Sequence, residues 1–175
     1  LEVCDQEVSS KIIEKYIGEN IKKENFVEYS PSAMKIVNEI SNFIFKNNGG
    51  LLMIDYGFTS GKMKNTLQSV QSHRKISFLK NPYNSDITHL INFKMYMKEF
   101  AKSNLKSLMT TQGNFLMKLG ILKRAELVTK NLQFSKKADI FYRIKRLVDE
   151  KYMGSLFKVL FCLLYTSDAA DDTTG

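Results

Sequence analysis

GGLLMIDYG, residues Gly49 to Gly57, is the stretch whose reading decides the fold. Its apolar run Leu51–Ile54 is too short for an independent helix and shows no polar alternation, so it predicts a strand buried on both faces. Upstream, Ser30 and Pro31 make a strong helix start: the serine hydroxyl can accept a free backbone N–H, and proline suits the first helical position. Ile36, Val37, Ile40, Phe43 and Ile44 then share one helical face, and Asn47, Asn48 and Gly49 supply the stop. Helix, glycine turn and buried strand form the second half of a βαβ unit, which predicts an α/β fold with parallel strands and a right-handed crossover. Ligands of open α/β sheets gather outside the carboxyl ends of the strands. Asp55, Tyr56 and Gly57 stand at that end.

Working outward, Val8, Ile12, Ile13, Tyr16 and Ile17 have helical spacing, so Glu7–Ile17 is expected to be an amphipathic helix. Phe26 and Val27 read as a short extended piece closed by Glu28. Beyond the strand, residues 57–64 read as a flexible loop, Thr66–His73 as a short helix or turn, and Ile76–Asp86 as loop broken by Pro82 and Asn84. Asn92 is placed to cap a helix burying Phe93, Tyr96, Met97, Phe100 and Ala101, which ends near Asn104. Leu105–Thr111 predicts a second strand, and Thr111 starts a short helix stopped by Gly120. Two further helices are expected around Ala125–Leu132 and Ile140–Val148, then a last strand over Ser155–Phe161. From Cys162 to Gly175 the chain turns abruptly to small and acidic residues without periodicity. That segment resembles translated sequencing adapter, so the domain is drawn as residues 1–161 with a non-native tail over 162–175.

Composition bounds the function. The 175 residues hold 26 Lys and Arg against 18 Asp and Glu, a net charge of +8 that invites a nucleic-acid reading. The lysines are spread over every expected element instead of forming a stripe interleaved with aromatics, which favours solvated faces and argues against a nucleic-acid partner. No apolar run is long enough to span a membrane, and no secretory signal pattern opens the chain. Cys4 and Cys162 give neither a disulfide framework nor metal spacing, so a reducing cytoplasm is the default.

Three motif readings bear on chemistry. GFTSGKM after the strand falls short of a phosphate loop, because three residues instead of four separate Gly57 from Gly61 and Met63 stands where a hydroxyl should hold magnesium. His73 and His89 have no second ligand at metal spacing, yet each lies in a polar segment where it could act as a base near neutral pH. Asp55 has the most informative position, a carboxylate at the mouth of the strand-end crevice.

GGLLMIDYG, then NTLQSVQSH (65–73), SDITHLINF (85–93), TTQGNFLMKLGI (110–121) and MGSLFKVL (153–160) together resemble the MidA-type family of SAM-dependent methyltransferases. Mitochondrial members of that family are complex I assembly factors associated with protein arginine methylation. The resemblance implies the carboxy-terminal part of a Rossmann-like class I methyltransferase, with a mixed sheet, helices on both faces, and SLFKVLF as an antiparallel strand inserted beside the GGLLMIDYG strand. It also implies S-adenosylmethionine as cofactor, bound by a glycine-rich loop expected upstream of Leu1, so that this chain alone is inactive. A protein substrate, arginine in particular, is the implied acceptor. The implied location is the bacterial cytoplasm, or the mitochondrion if the source is eukaryotic.

By the same resemblance Asp55, Tyr56 and His73 are the candidate catalytic residues, and Asp86, Thr88 and Gln112 the candidate substrate-binding ones. No metal ligand is implied. Asn65 and Asn92 stand where the family pattern has aspartate, and Leu90 where histidine is common, with His89 one place earlier. A competing reading of another class is a non-enzymatic assembly module that holds a protein or RNA partner on its basic faces.

Overall fold

The computed structural model describes residues 26–60 and 64–164. The expected helix over Glu7–Ile17 lies outside them, as does the Gly61–Met63 end of the GFTSGKM loop. The described chain begins with helix α1 (Pro31–Lys46), followed by the nine-residue strand β1 (Gly50–Phe58). Ser30 caps α1 by accepting from the Ala33 N–H at 3.2 Å. The turn into β1 uses Asn48, at φ 48°, for its left-handed residue, while Gly50 already belongs to the strand.

After β1 come the hairpin β2 (Gln68–Gln71) and β3 (Arg74–Ile76), a 3₁₀ turn over Pro82–Asn84, β4 (Asp86–Thr88) and β5 (Ile91–Asn92). Helix α2 (Phe93–Lys102) leads into β6 (Leu105–Thr111). Helices α3 (Gln112–Lys118), α4 (Ile121–Thr129), α5 (Phe134–Val148) and the single turn α6 (Met153–Leu156) precede the final strand β7 (Phe157–Leu164).

The main sheet has the order β5-β1-β7-β6, and the small sheet β3-β2-β4 stands apart from it. Strand β7 runs antiparallel to both β1 and β6, so those two point the same way with the last strand of the chain between them. Its register places Leu52, Phe161 and Leu108 in one row, and Asp55, Lys158 and Thr111 in another. Side chains alternate across the sheet. One face, bearing Leu51, Met53, Leu160, Cys162 and Leu105, packs under α1 and α2. There Phe93 and Phe100, both fully buried, meet Val37 and Ile44 to close the core. On the opposite face α3 and α6 lie against the end of the sheet nearest Val159, which is buried.

Three sequence expectations are corrected. Strand β1 is not buried on both faces: Leu52 is 50% and Ile54 45% exposed, because among the described residues no helix covers the part of the sheet that carries them. Of the two readings of Thr66–His73 the helix is overturned by strand β2, while the turn holds at Ser72 and His73, which adopt φ 49° and 62° and lead the chain back into β3. Two successive residues with positive φ match the twist of a two-residue hairpin, which a helix cannot accommodate. The last strand does not stop at Phe161 but continues through Leu164, with Cys162 fully buried and Leu163 paired to both Gly50 and Lys106.

Candidate functional site

Asp55 follows Leu51 and Met53 on the core-facing side of β1, half-buried and three residues before the strand ends at Phe58. One carboxylate oxygen accepts its neighbour's backbone N–H, from Tyr56, at 2.7 Å. Its charge also reaches Tyr96 on the second turn of α2: burial, and after it the Asp55 carboxylate, hold the Tyr96 phenol above its ordinary value of 10.0. Both influences favour the neutral phenol, so Tyr96 beside Asp55 is a hydrogen-bond donor throughout the physiological range.

Tyr96 is also part of the wall of a cavity of about 470 Å³. Tyr29, Phe58 and Phe78 give the cavity an aromatic lining, and Glu28, Asn65 and His89 add polar groups. Its framework is tied by Glu28, whose carboxylate accepts from the Thr66 and Leu67 N–H groups at 2.7 and 2.9 Å and from the Thr66 hydroxyl at 2.5 Å. That hydroxyl accepts in turn from the Leu90 N–H at 2.9 Å. A single carboxylate and a single hydroxyl thus pin three chain segments around one cavity. Charge-assisted hydrogen bonds of this kind are about twice as strong as neutral ones.

A second crevice of about 600 Å³ opens where β6 and β7 meet the start of α2, lined by Thr59, Lys94, Thr111 and Lys158 among others. Lys158 donates to the carbonyl of Ser155. Desolvation on burial holds its ammonium below the ordinary value of 10.5.

The candidate residues fall in three places. Asp55 and Tyr56 are adjacent but project to opposite faces of β1, and the Tyr56 ring meets Phe157 edge-on at 5.5 Å between centroids. His73 sits exposed at the tip of the β2–β3 hairpin, and Asp86 and Thr88 lie in β4 of the same small sheet, paired in register with Val70 and Gln68. Gln112, only 8% exposed, donates to the carbonyl of Leu147 at 2.9 Å and so closes the end of α5. Contact with Asp55 is shown for Tyr56 alone among these. Glu28, Tyr96, Lys94 and Lys158 emerge from the structure: Tyr96 reads in the sequence as one more buried helix position, and Glu28 as the end of an extended piece. The signal for Glu28 was present, a carboxylate closing an apolar dipeptide before a capped helix. Among the described residues no group of three or more His, Cys, Asp or Glu could hold a metal ion, and no helix is long and apolar enough to cross a membrane.

Comparison with known proteins agrees with this architecture. Residues 3–111 match the model of a family described as "Putative S-adenosyl-L-methionine-dependent methyltransferase". The mitochondrial protein arginine methyltransferase NDUFAF7 of Xenopus tropicalis is 26% identical over 133 residues, covering 75% of this chain and 31% of that protein. The chain spans about a third of the length of the curated relatives it matches. Two crystal structures from Burkholderia thailandensis, both of one superfamily, share the fold. An uncharacterised member superposes with a TM-score of 0.73 at 20% identity, covering 93% of this chain and 46% of its own. Another, titled a "likely methyl transferase" and bound to S-adenosyl-homocysteine, gives a TM-score of 0.68 at 22% identity over 84% of this chain and 41% of its own. The strand order with β7 inserted between β1 and β6, the helices on both faces and the match over 3–111 lead to one conclusion: this chain belongs to the family of S-adenosyl-L-methionine-dependent methyltransferases, with the Rossmann-like fold of its class.

Proposed function

We propose that this chain is the acceptor side of a SAM-dependent protein methyltransferase that modifies arginine, and that the residues binding SAM lie outside it. What carries this reading is Asp55, a carboxylate at the carboxyl end of β1, set beside the Tyr96 phenol on the wall of an aromatic cavity. The arginine acceptor is supported by relatives named as protein arginine methyltransferases. SAM is supported by the family description and by the S-adenosyl-homocysteine bound to the Burkholderia relative. The sequence contains no G-x-G-x-x-G, and among the described residues no strand is followed by a glycine-rich adenosyl loop, so the described part of the chain does not fit the cofactor. On this reading the 175 residues alone do not methylate.

When bound, SAM supplies an electrophilic methyl group. The protein's task is to hold the acceptor nitrogen in line with that methyl and to accommodate the charge that moves during transfer. Asp55 is suited to this, because one oxygen is fixed by the Tyr56 N–H and the other carries no hydrogen bond among the described residues, leaving it free to accept from a guanidinium. A flat, delocalised cation also stacks well on the Tyr29, Phe58 and Phe78 rings of the cavity. The chain that leaves the small sheet at Thr88 enters that cavity's wall directly at His89 and Asn92, so Asp86 and Thr88 of β4, with His73 on the hairpin turn of the same sheet, are proposed to meet the polypeptide that carries the arginine. Gln112 is proposed to act only through the Leu147 contact that fixes α5.

In the complete enzyme, Asp55→Asn keeps the shape and removes the charge. Losing a charge-assisted hydrogen bond to the acceptor should lower kcat/KM by about 10- to 100-fold. Methyl incorporation into a protein acceptor measures it, and unchanged kinetics would remove Asp55 from the reaction.

A further inference from the structure

The crevice beside α2 differs in chemistry from the aromatic cavity. It is lined by Lys94 and Lys158, by Thr59, Thr110, Thr111 and Asn114, and by Met97 and Met109. No carboxylate lines it. Neither lysine takes part in an ion pair among the described residues, whose three pairs are all on helix surfaces elsewhere. Lys158 is half-buried, its amine held by the Ser155 carbonyl, so it stays where the strand puts it instead of extending into solvent. The first turn of α2, which carries Lys94, has no acidic residue, and Asn92 does not cap it with its side chain. The backbone N–H groups there add to the positive potential.

We infer that the crevice between β6, β7 and the start of α2 binds an anionic side chain of the acceptor protein, a carboxylate or a phosphorylated hydroxyl, close in sequence to the residue placed at Asp55. The geometry supports the link, because Asp55 and Lys158 are register partners on the same face of adjacent strands. A segment laid across the strand ends would meet a carboxylate in one place and two ammonium groups in the other. Such charge patterning fixes register and rejects partners with the opposite order. The site refines the methyltransferase reading and rests on it for the identity of the ligand.

The test is direct binding to this 175-residue chain of three dye-labelled peptides, each with one arginine flanked by glutamate, phosphoserine or glutamine. The glutamate or the phosphoserine peptide should bind about tenfold tighter than the glutamine one, consistent with one charge-assisted contact. Whichever of the two is preferred identifies the anion. The preference should vanish in Lys158→Gln and in Lys94→Gln, the latter a change at an exposed position that spares the fold, and should persist in Lys137→Gln on α5. Equal binding of all three peptides by the unmodified chain, a preference that survives both crevice substitutions, or an equal loss in Lys137→Gln would overturn the site. A retained preference with no methylation of any peptide by the full-length enzyme and SAM would instead remove the methyl-transfer reading. Methylation without preference would do the reverse.

Discussion

Cys162 shows what one residue reveals when its surroundings are known. In the sequence it is a small residue at a change of composition; in the fold it is fully buried, paired across to Leu51 and Ser107, with its sulfur 3.1 Å from the Ser107 hydroxyl. Burial pushes the thiol above its ordinary value of 9.0, and the Ser107 hydrogen bond opposes that shift in part. The sign of the consequence follows from proton counting. A folded-state value above the unfolded one means that the unfolded chain loses its proton first as the pH rises, so stability contributed by the neutral thiol is present below about 9 and is lost as pH climbs through the folded value. Denaturant melts of the unmodified chain and of Cys162→Ala, each normalised to pH 7.5, should therefore diverge above pH 9, with the alanine variant showing the flatter fall. Parallel curves would mean that the thiol does not titrate in its buried position.

At the scale of elements, the junction of β1, β5 and α2 sets the position of the site. Gly57 lies there under the Ile91 carbonyl and the Phe93 ring, and a Cβ added to it would meet them at 2.3 and 2.8 Å. The first is a backbone atom of the strand paired with β1, which cannot rotate aside. Replacing Gly57 by alanine would reduce unfolded-chain entropy, a gain of about 0.4–1 kcal/mol at a compatible site. The overpacking penalty is larger, about 1–3 kcal/mol or more. Gly57→Ala should thus lower stability by about 1–2 kcal/mol net and shift α2 away from β1, carrying Tyr96 from Asp55. Chemical denaturation reads the first effect. The second should appear as a Tyr96 phenol titrating closer to its ordinary value, and a phenol titration unchanged from the parent would show that α2 had not moved.

For the whole molecule the sheet's uncovered face dominates. Leu52, Phe161 and Leu108 form one row across three strands, and Leu108 is 58% exposed. Ile54 and Leu163 extend the patch. Contiguous exposed apolar surface of this kind marks association, whether with another part of a larger protein or with a second copy. Leu108→Glu places a charge at the β6 end of the row, next to Phe161. It should reduce self-association and binding of a hydrophobic dye while leaving helix content unchanged, as followed by sedimentation and circular dichroism. Undiminished dye binding would place the accessible apolar surface elsewhere.

Local signals explain what could be read from residues alone. Strand β6 has the bounds its sequence predicts, and the starts of α1 and α3 follow Ser30 and Thr111, whose hydroxyls accept from Ala33 and Asn114. These features depend on spacing and on hydrogen bonds three residues long, which composition and order determine. The apolar run placed the strand but not its end, since β1 continues past Asp55 to Phe58 with Gly57 buried beneath Phe93. Other properties needed the tertiary structure. Whether one face of β1 or both are covered depends on which elements pack there, and a run such as LLMI has the same pattern in either case. Hairpin and short helix look alike over QSVQSHRKI until Val70 and Gln71 find Lys75 and Arg74 across the turn. The grouping of Glu28, Thr66 and Leu90, or of Asp55 with Tyr96 and Lys158, joins residues 24 to 103 positions apart. The sequence by itself determined most helix starts and the core of strands β1, β6 and β7, because those are local. Only the folded chain decided which charges meet, because contacts so distant in sequence are fixed by packing and register.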